Sequence, residues 1–160
     1  MIATRFETER LAMLPLETRY AEEMAGVLAA PEIYAFTGGE PPTVEALAAR
    51  YERQTKGPDR PGEYWLNWVL LQQNETLVGY VQATVTDDEA EIAWVVGTAW
   101  QGRGYAKEAA VGLVTWLEAH GVRRIVALIH PDHAASAAVS SAAGLTRTEV
   151  MQDGEYRWQK

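Results

Sequence analysis

Apolar positions along the chain follow two periods, and the change between them organises the sequence. Residues 10–16, with Leu11 and Met13 apolar against smaller or polar neighbours, read as a first strand until Pro15 disturbs the alternation. Ala21, Met24, Ala25 and Leu28 then recur at helical spacing behind Thr18, which the pattern assigns as the helix cap, and Pro31 stops the run. Ile33, Tyr34, Ala35 and Phe36 form a short apolar piece whose type the pattern leaves open. After the loop Gly38-Gly39-Glu40-Pro41-Pro42, Thr43 caps a second helix. Its apolar face is Val44, Leu47, Ala48 and Tyr51, with Glu45, Arg50, Glu52 and Arg53 turned outward. A second loop, 56–62, is rich in glycine and proline.

From Tyr64 the period shortens to two. Residues 64–71 and 76–85 are β-rich runs joined by Gln72-Gln73-Asn74-Glu75, and Asp87-Asp88-Glu89 turns the chain into a further strand at 91–96. Short connections make these an antiparallel meander. Gly79, inside the meander, marks a bulge or a close backbone approach. Residues 105–120 then carry a helical stripe, Ala109, Leu113, Trp116 and Leu117, widened by Ala110 and Val114 and closed by Gly121. The nearly continuous apolar run 124–130 is a strand covered on both faces. A strand–helix–strand crossover is right-handed, so 91–96 and 124–130 should lie parallel. An alanine- and serine-rich helix over 134–143 ends at Gly144, and 145–151 pairs with 156–159 around Asp153-Gly154. Residues 1–160 read as one mixed α+β domain.

Composition narrows the function classes. The chain has no cysteine, which excludes disulfides, zinc–thiolate sites and cysteine nucleophiles and makes a cytoplasmic setting the expectation. No apolar run reaches the length of a membrane span, and residues 1–5 lack the apolar core of a signal peptide, so no membrane partner is expected. A formal net charge of −8 argues against a nucleic-acid backbone as partner.

Chemistry concentrates between the strand 91–96 and the helix 105–120. There the chain reads Gln101-Gly102-Arg103-Gly104-Tyr105-Ala106, a glycine turn opening a helix. Helix N-termini present unpaired N–H groups and a partial positive charge, so they hold anions, and glycine lets a ligand approach the backbone. A purely structural turn, a dinucleotide, a nucleoside triphosphate and coenzyme A are the readings open to it. Lys107 stands where a dinucleotide fingerprint needs a small residue, and the preceding meander is the wrong context for that fold. No Gly-Lys-Ser or Gly-Lys-Thr follows, which excludes a Walker loop. His130 and His133 have a metal-like spacing, but no third ligand accompanies them and no metal is expected.

The six residues 101–106 fit the Q/R-x-x-G-x-G/A pyrophosphate loop of the GNAT acetyltransferases, and the chain resembles that family over nearly its whole length. Thr8-Glu9-Arg10-Leu11, Leu14-Pro15-Leu16, Gly38-Gly39 with Pro41-Pro42-Thr43, Ala90-Glu91-Ile92-Ala93-Trp94 and His130-Pro131-Asp132-His133-Ala134-Ala135-Ser136 are similar to the branch of ribosomal-protein N-terminal acetyltransferases. The resemblance implies a mixed sheet of about seven strands, splayed between the fourth and fifth, with about four helices. It implies acetyl-CoA as donor and a primary amine as acceptor, joined by direct attack without an acyl-enzyme. It assigns Gln101, Gly102, Arg103, Gly104, Tyr105 and Ala106 to the pyrophosphate, Val95 and Val96 to the pantetheine and the oxyanion, and Glu91 to the base. Ser136 falls on the serine of the family's Asn-x-x-Ser motif, for orienting or protonating the sulfur, while His133 replaces the asparagine and takes over its place at the pantetheine arm, where imidazole can also donate. The tyrosine that many relatives carry in the last helix is missing. The resemblance leaves two acceptors open, a protein N-terminus or a small amine such as an antibiotic, toxin or polyamine. A non-catalytic acetyl-CoA sensor is the reading from another class, and a homodimer is one state the family implies.

Overall fold

The computed structural model describes residues 1–160. Its strands are β1 (Phe6–Glu7), β2 (Leu11–Pro15), β3 (Glu63–Gln72), β4 (Leu77–Thr86), β5 (Glu89–Val96), β6 (Arg124–Ile129), β7 (Thr146–Gln152) and β8 (Glu155–Gln159). They form one mixed sheet in the order β1-β2-β3-β4-β5-β6-β8-β7. The α-helices are α1 (Ala21–Val27), α2 (Val44–Lys56), α3 (Tyr105–Ala119) and α4 (Ala134–Ala142), with short 3-10 turns at Thr18–Tyr20, Pro31–Tyr34 and Thr98–Trp100. Strands β3 to β5 make the antiparallel meander, β2 pairs antiparallel with β3 on its far side, and α3 carries the chain across to β6, parallel to β5. No helix is long and apolar enough to cross a membrane.

The expected α+β architecture is present, with one strand more than the seven expected. The addition is β1, where Phe6 pairs with Met13 and sets its ring against Trp68 and Trp116. Two residues are too few to leave a periodic signal. Turn chemistry explains the other boundaries. Thr43 Oγ1 accepts from Ala46 N–H at 3.1 Å and starts α2. Behind α3, Gly121 N–H donates to Glu118 C=O and Val122 N–H to Leu117 C=O, the paired bonds that close a helix. Asp153 and Gly154, both at positive φ, form the two-residue turn between β7 and β8. Thr18 differs from expectation and caps nothing with its side chain. It opens a 3-10 turn that runs straight into α1, with Ala21 N–H bonded to the Thr18 carbonyl.

Alternation in the strands sorts side chains onto two faces. Leu66, Trp68 and Leu70 of β3, Val81, Ala83 and Val85 of β4, and Ala90 and Ile92 of β5 join α3 and α4 in the larger core. The opposite face is covered by α1 and α2, where Met24, Leu47 and Tyr51 pack on Val69 and Leu77 in a smaller core. That second layer is incomplete. Asn67, Gln82 and Glu91 lie on the α1–α2 face yet are half-buried or exposed, so the floor there is polar and open. Val44 is 39% exposed because α2 meets the sheet one turn later, at Leu47. Gly79 meets both expectations made for it. The β3–β4 register shifts beside it, and a Cβ at 79 would strike the Val95 carbonyl of β5.

Candidate active site

Strands β5 and β6 pair at only three positions, Glu89 with Arg124, Ala90 with Ile125 and Glu91 with Val126. Beyond Glu91 they part, while β5 stays bonded to β4 as far as Val96. This is the splay, and it leaves residues 92–96 with one unpartnered edge. Successive residues of a strand turn their N–H and C=O groups to opposite sides. The Val95 carbonyl points at Gly79 of β4, whereas Gln101 Nε2 reaches the Val96 carbonyl from the other side at 2.9 Å. Val96 N–H and both polar groups of Trp94 therefore face the gap. Of the two valines expected there, only Val96 offers its backbone to the open edge.

The glycine turn follows at the end of that edge. Gly104 sits at the N-cap of α3 with φ 82° and ψ 7°, a left-handed conformation that favours glycine. The N–H groups of residues 105–107 open the helix with no preceding turn to bond to, and neither they nor those of the turn 102–104 donate to a loop or side-chain acceptor. Glu108, in the first turn, is the anchor for this arrangement. Its carboxylate accepts from Thr8 Oγ1, from Arg10 N–H at 2.8 Å and from Arg10 Nε at 2.7 Å. Arg10 Nη1 donates in turn to the Arg103 carbonyl at 2.9 Å, and its guanidinium lies 4.5 Å from the Tyr105 ring centroid. Burial alone pushes the Glu108 carboxyl up, but the hydrogen bonds from Thr8 and Arg10 outweigh it and hold the group below the ordinary carboxylate range. Thr8 and Arg10 belong to a motif whose role was not legible in the sequence; the fold shows that they tie the loop to the β1–β2 turn.

Loop, β5 edge and α4 enclose a cleft of about 750 Å³, lined among others by Trp94, Val95, Val96, Gln101, Gly102, Gly104, Tyr105, Ala106, His133 and Ser136. Arg103 does not line it; its side chain is exposed beside the loop. Ser136 Oγ lies 3.3 Å from His133 Nε2, so the serine bonds the imidazole and does not cap α4. Phe36 stacks on His133 with centroids 4.4 Å apart and touches His130, which seats the 3-10 turn Pro31–Tyr34 and its following loop over the cleft. Burial, helped by His130, lowers the His133 pKa and keeps that ring neutral. The Tyr105 hydroxyl is already committed to Gln72 Oε1 at 3.0 Å.

The sequence profile of the acetyltransferase (GNAT) domain matches residues 10–146. The chain belongs to the GNAT acetyltransferase family. As a member it is an acyltransferase, an acetyl-CoA-dependent N-acetyltransferase. Solved structures agree in fold. A GNAT-family acetyltransferase from Bacillus anthracis superposes with a TM-score of 0.82 at 19% identity, covering 98% of each chain. RimL, a ribosomal α-N-protein acetyltransferase in complex with coenzyme A, gives 0.81 at 15% identity over 98% of this chain and 97% of that one. The microcin C7 self-immunity acetyltransferase MccE, in complex with acetyl-CoA and AMP, gives 0.76 at 18% over 95% and 92%. No curated protein matches the chain in sequence.

Carboxylates of this acetyltransferase gather at the point of the splay, on the α1–α2 face. Glu91 is exposed there, paired through the backbone with Thr84 and Val126, and it lies outside the donor cleft. Glu155, at the start of β8, was not singled out in the sequence. Burial pushes its carboxyl above the ordinary range, and the charges of Glu91 and Asp153 add to this against His130. His130 itself accepts the Asp132 N–H on Nδ1 at 3.0 Å. The signal that would have found Glu155 is its register, since Tyr156 pairs with Ile129 just before His130.

Proposed function

We propose that this enzyme moves the acetyl group of acetyl-CoA to a primary amine by direct attack in a ternary complex, with residues 1–160 working as one such domain in the cytoplasm. The open edge of β5, running into a helix start with unbonded N–H groups, carries the reading. The pyrophosphate meets the N–H groups of Gly102 to Ala106, and Gln101 braces the loop against Val96. Arg103 adds charge from the solvent side. The pantetheine arm lies along β5 as an added strand, with His133 at its border. Gap-facing N–H groups of Trp94 and Val96 take its carbonyl and the thioester oxygen, and the latter bond strengthens as the oxyanion forms.

The amine arrives from the α1–α2 face. Its nitrogen attacks the thioester carbon, a proton leaves toward Glu91 with Glu155 beside it, and the C–S bond breaks with its electron pair on sulfur. Sulfur departs on the α3–α4 side, where the Ser136 hydroxyl passes it a proton and takes one in turn from water at the mouth of the cleft. In the tautomer with His133 Nε2 protonated, the imidazole donates to Ser136 Oγ and frees the hydroxyl hydrogen for sulfur. Thiol release on adding amines to the enzyme with acetyl-CoA tests the reading. Amine-dependent release is the expected result; calorimetric binding of coenzyme A without release on any amine would overturn it in favour of a sensor.

A further inference from the structure

On the sheet face opposite the donor cleft, α2 roofs a second set of connected cavities of about 170 Å³ and 300 Å³. Both are lined by Arg50, Gln54, Asn67 and Gln82, and the larger also by Arg53 and Thr84. Arg50 and Arg53 are exposed, as the sequence pattern expects, and they also border this polar floor. At its back the Tyr51 side chain is 4% exposed, and its hydroxyl has no hydrogen-bond partner in the protein. A buried hydroxyl left unpaired is costly, so on a residue that lines a cavity it is suited to a polar ligand.

The charges point the same way. Seven arginines of this acidic chain, Arg5, Arg10, Arg19, Arg60, Arg124, Arg147 and Arg157, are ion-paired. Four are not, although acidic residues outnumber basic ones by 22 to 14: Arg103 beside the glycine loop, Arg123 before β6, and Arg50 and Arg53, the two that line this cavity. Two free guanidiniums over amide and hydroxyl groups form a site for a carboxylate or phosphate. The floor also leads to the chemistry. Asn67 pairs with Gln82, Gln82 with Ala93 and Thr84 with Glu91, so β5 lies two strand spacings away, about 10 Å.

We infer that the acceptor is a primary amine bearing its own anion, a carboxylate or phosphate within about 10 Å of the nitrogen, which Arg50 and Arg53 hold while the amine reaches the edge of β5 beside Glu91. The inference rests on the transferase reading and gives it a substrate class. It excludes polyamines and other purely cationic amines.

Matched acceptors test it. Thiol release is measured with 6-aminohexanoate against its amide, 3-aminopropyl phosphate against 3-aminopropanol, and an acidic tetrapeptide against its neutral counterpart. Wild type should favour the anionic member by about tenfold or more in kcat/KM. In the folded double variant Arg50→Gln/Arg53→Gln that ratio should collapse toward one, and Arg50→Lys/Arg53→Lys should restore part of it. Preference for the peptide pair would mark a protein N-terminus as source, and preference for the small pairs a metabolite. Equal use of charged and neutral partners, or a preference for spermidine, overturns the anion site and leaves the transferase reading standing. Calorimetry with 3-aminopropyl phosphate on the coenzyme A complex separates the two failures. Binding lost in the double variant, without release from any amine, upholds the anion site and removes the transferase reading; no binding and no release removes both.

Discussion

On the α3–α4 side of the sheet the groups assigned to acetyl-CoA are mostly backbone: the gap-facing edge of β5 and the N–H groups of residues 102–107. On the α1–α2 side they are side chains, Arg50, Arg53, Gln82 and Glu91, brought from separate elements onto one floor. Backbone donors are fixed once strand and helix form, and they suit a ligand that never changes. Side chains can be exchanged singly without disturbing either core, which suits a ligand that differs between relatives. A loss on the first side should appear in donor affinity and oxyanion stabilisation, and a loss on the second in acceptor use and the pH profile.

The largest effect should come from the second side. Glu91→Gln/Glu155→Gln should lower turnover by about 1,000-fold, the scale of a lost general base, with coenzyme A affinity intact by calorimetry. Glu91→Gln alone should account for most of the fall; unchanged turnover would remove Glu91 and leave the role to Glu155. Because burial raises the Glu155 pKa, its basic form appears only as pH climbs past the ordinary carboxylate range, so the acid limb of the wild-type rate should shift downward in Glu155→Gln. The matching loss on the first side is Val96→Pro. Its missing N–H faced the gap and not the ladder, so the protein should fold and lose about 100-fold in turnover. Val95→Pro should instead fail to fold, because that N–H bonds β4. Equal damage from the two prolines would break the edge assignment.

The same division governs what the sequence disclosed. The loop was legible because glycine spacing is a local signal for a helix start, and the meander followed by a crossover set where the sheet opens. Val95 and Val96 could not be separated, since which of them faces the gap depends on the β4 register at Gly79. Arg50 and Arg53 are exposed, as the helical period expects, but that they also overhang a cavity was not legible, because the apolar layer stops short of Asn67 and Gln82. Glu155 and Arg10 act across long separations in the chain, which no periodicity encodes.

A smaller effect is expected at the anchor. Glu108→Gln keeps the shape but removes the charge that holds Arg10, so stability should fall by about 1–2 kcal/mol and coenzyme A should bind about tenfold more weakly. The Glu108 pKa is lowered, so its contribution is complete above the ordinary carboxylate range and is lost as pH falls through the lowered value. Wild type and variant should therefore converge in thermal stability on acidification; a constant difference would remove Glu108 as the anchor. Ser136→Ala should reduce turnover only about threefold, because water can replace a hydroxyl at the mouth of a cleft. A deeper loss would make Ser136 the required acid.

The smallest change probes the back of the acceptor floor. Tyr51→Phe removes a hydroxyl that is buried without a partner, so the unliganded protein should hold its melting temperature or gain slightly, by a few tenths of a kcal/mol. Burial pushes the Tyr51 pKa up, so the group stays a neutral donor across the working range and the effect should not vary with pH. If that hydroxyl meets the acceptor, the same variant should raise KM for anionic amines while kcat and the KM for acetyl-CoA stay put. A rise in stability with unchanged acceptor KM would make Tyr51 a packing residue and move the acceptor toward Thr84. A fall in stability would mean that the hydroxyl is satisfied by water, and the floor would then be a wet cavity in the unliganded enzyme.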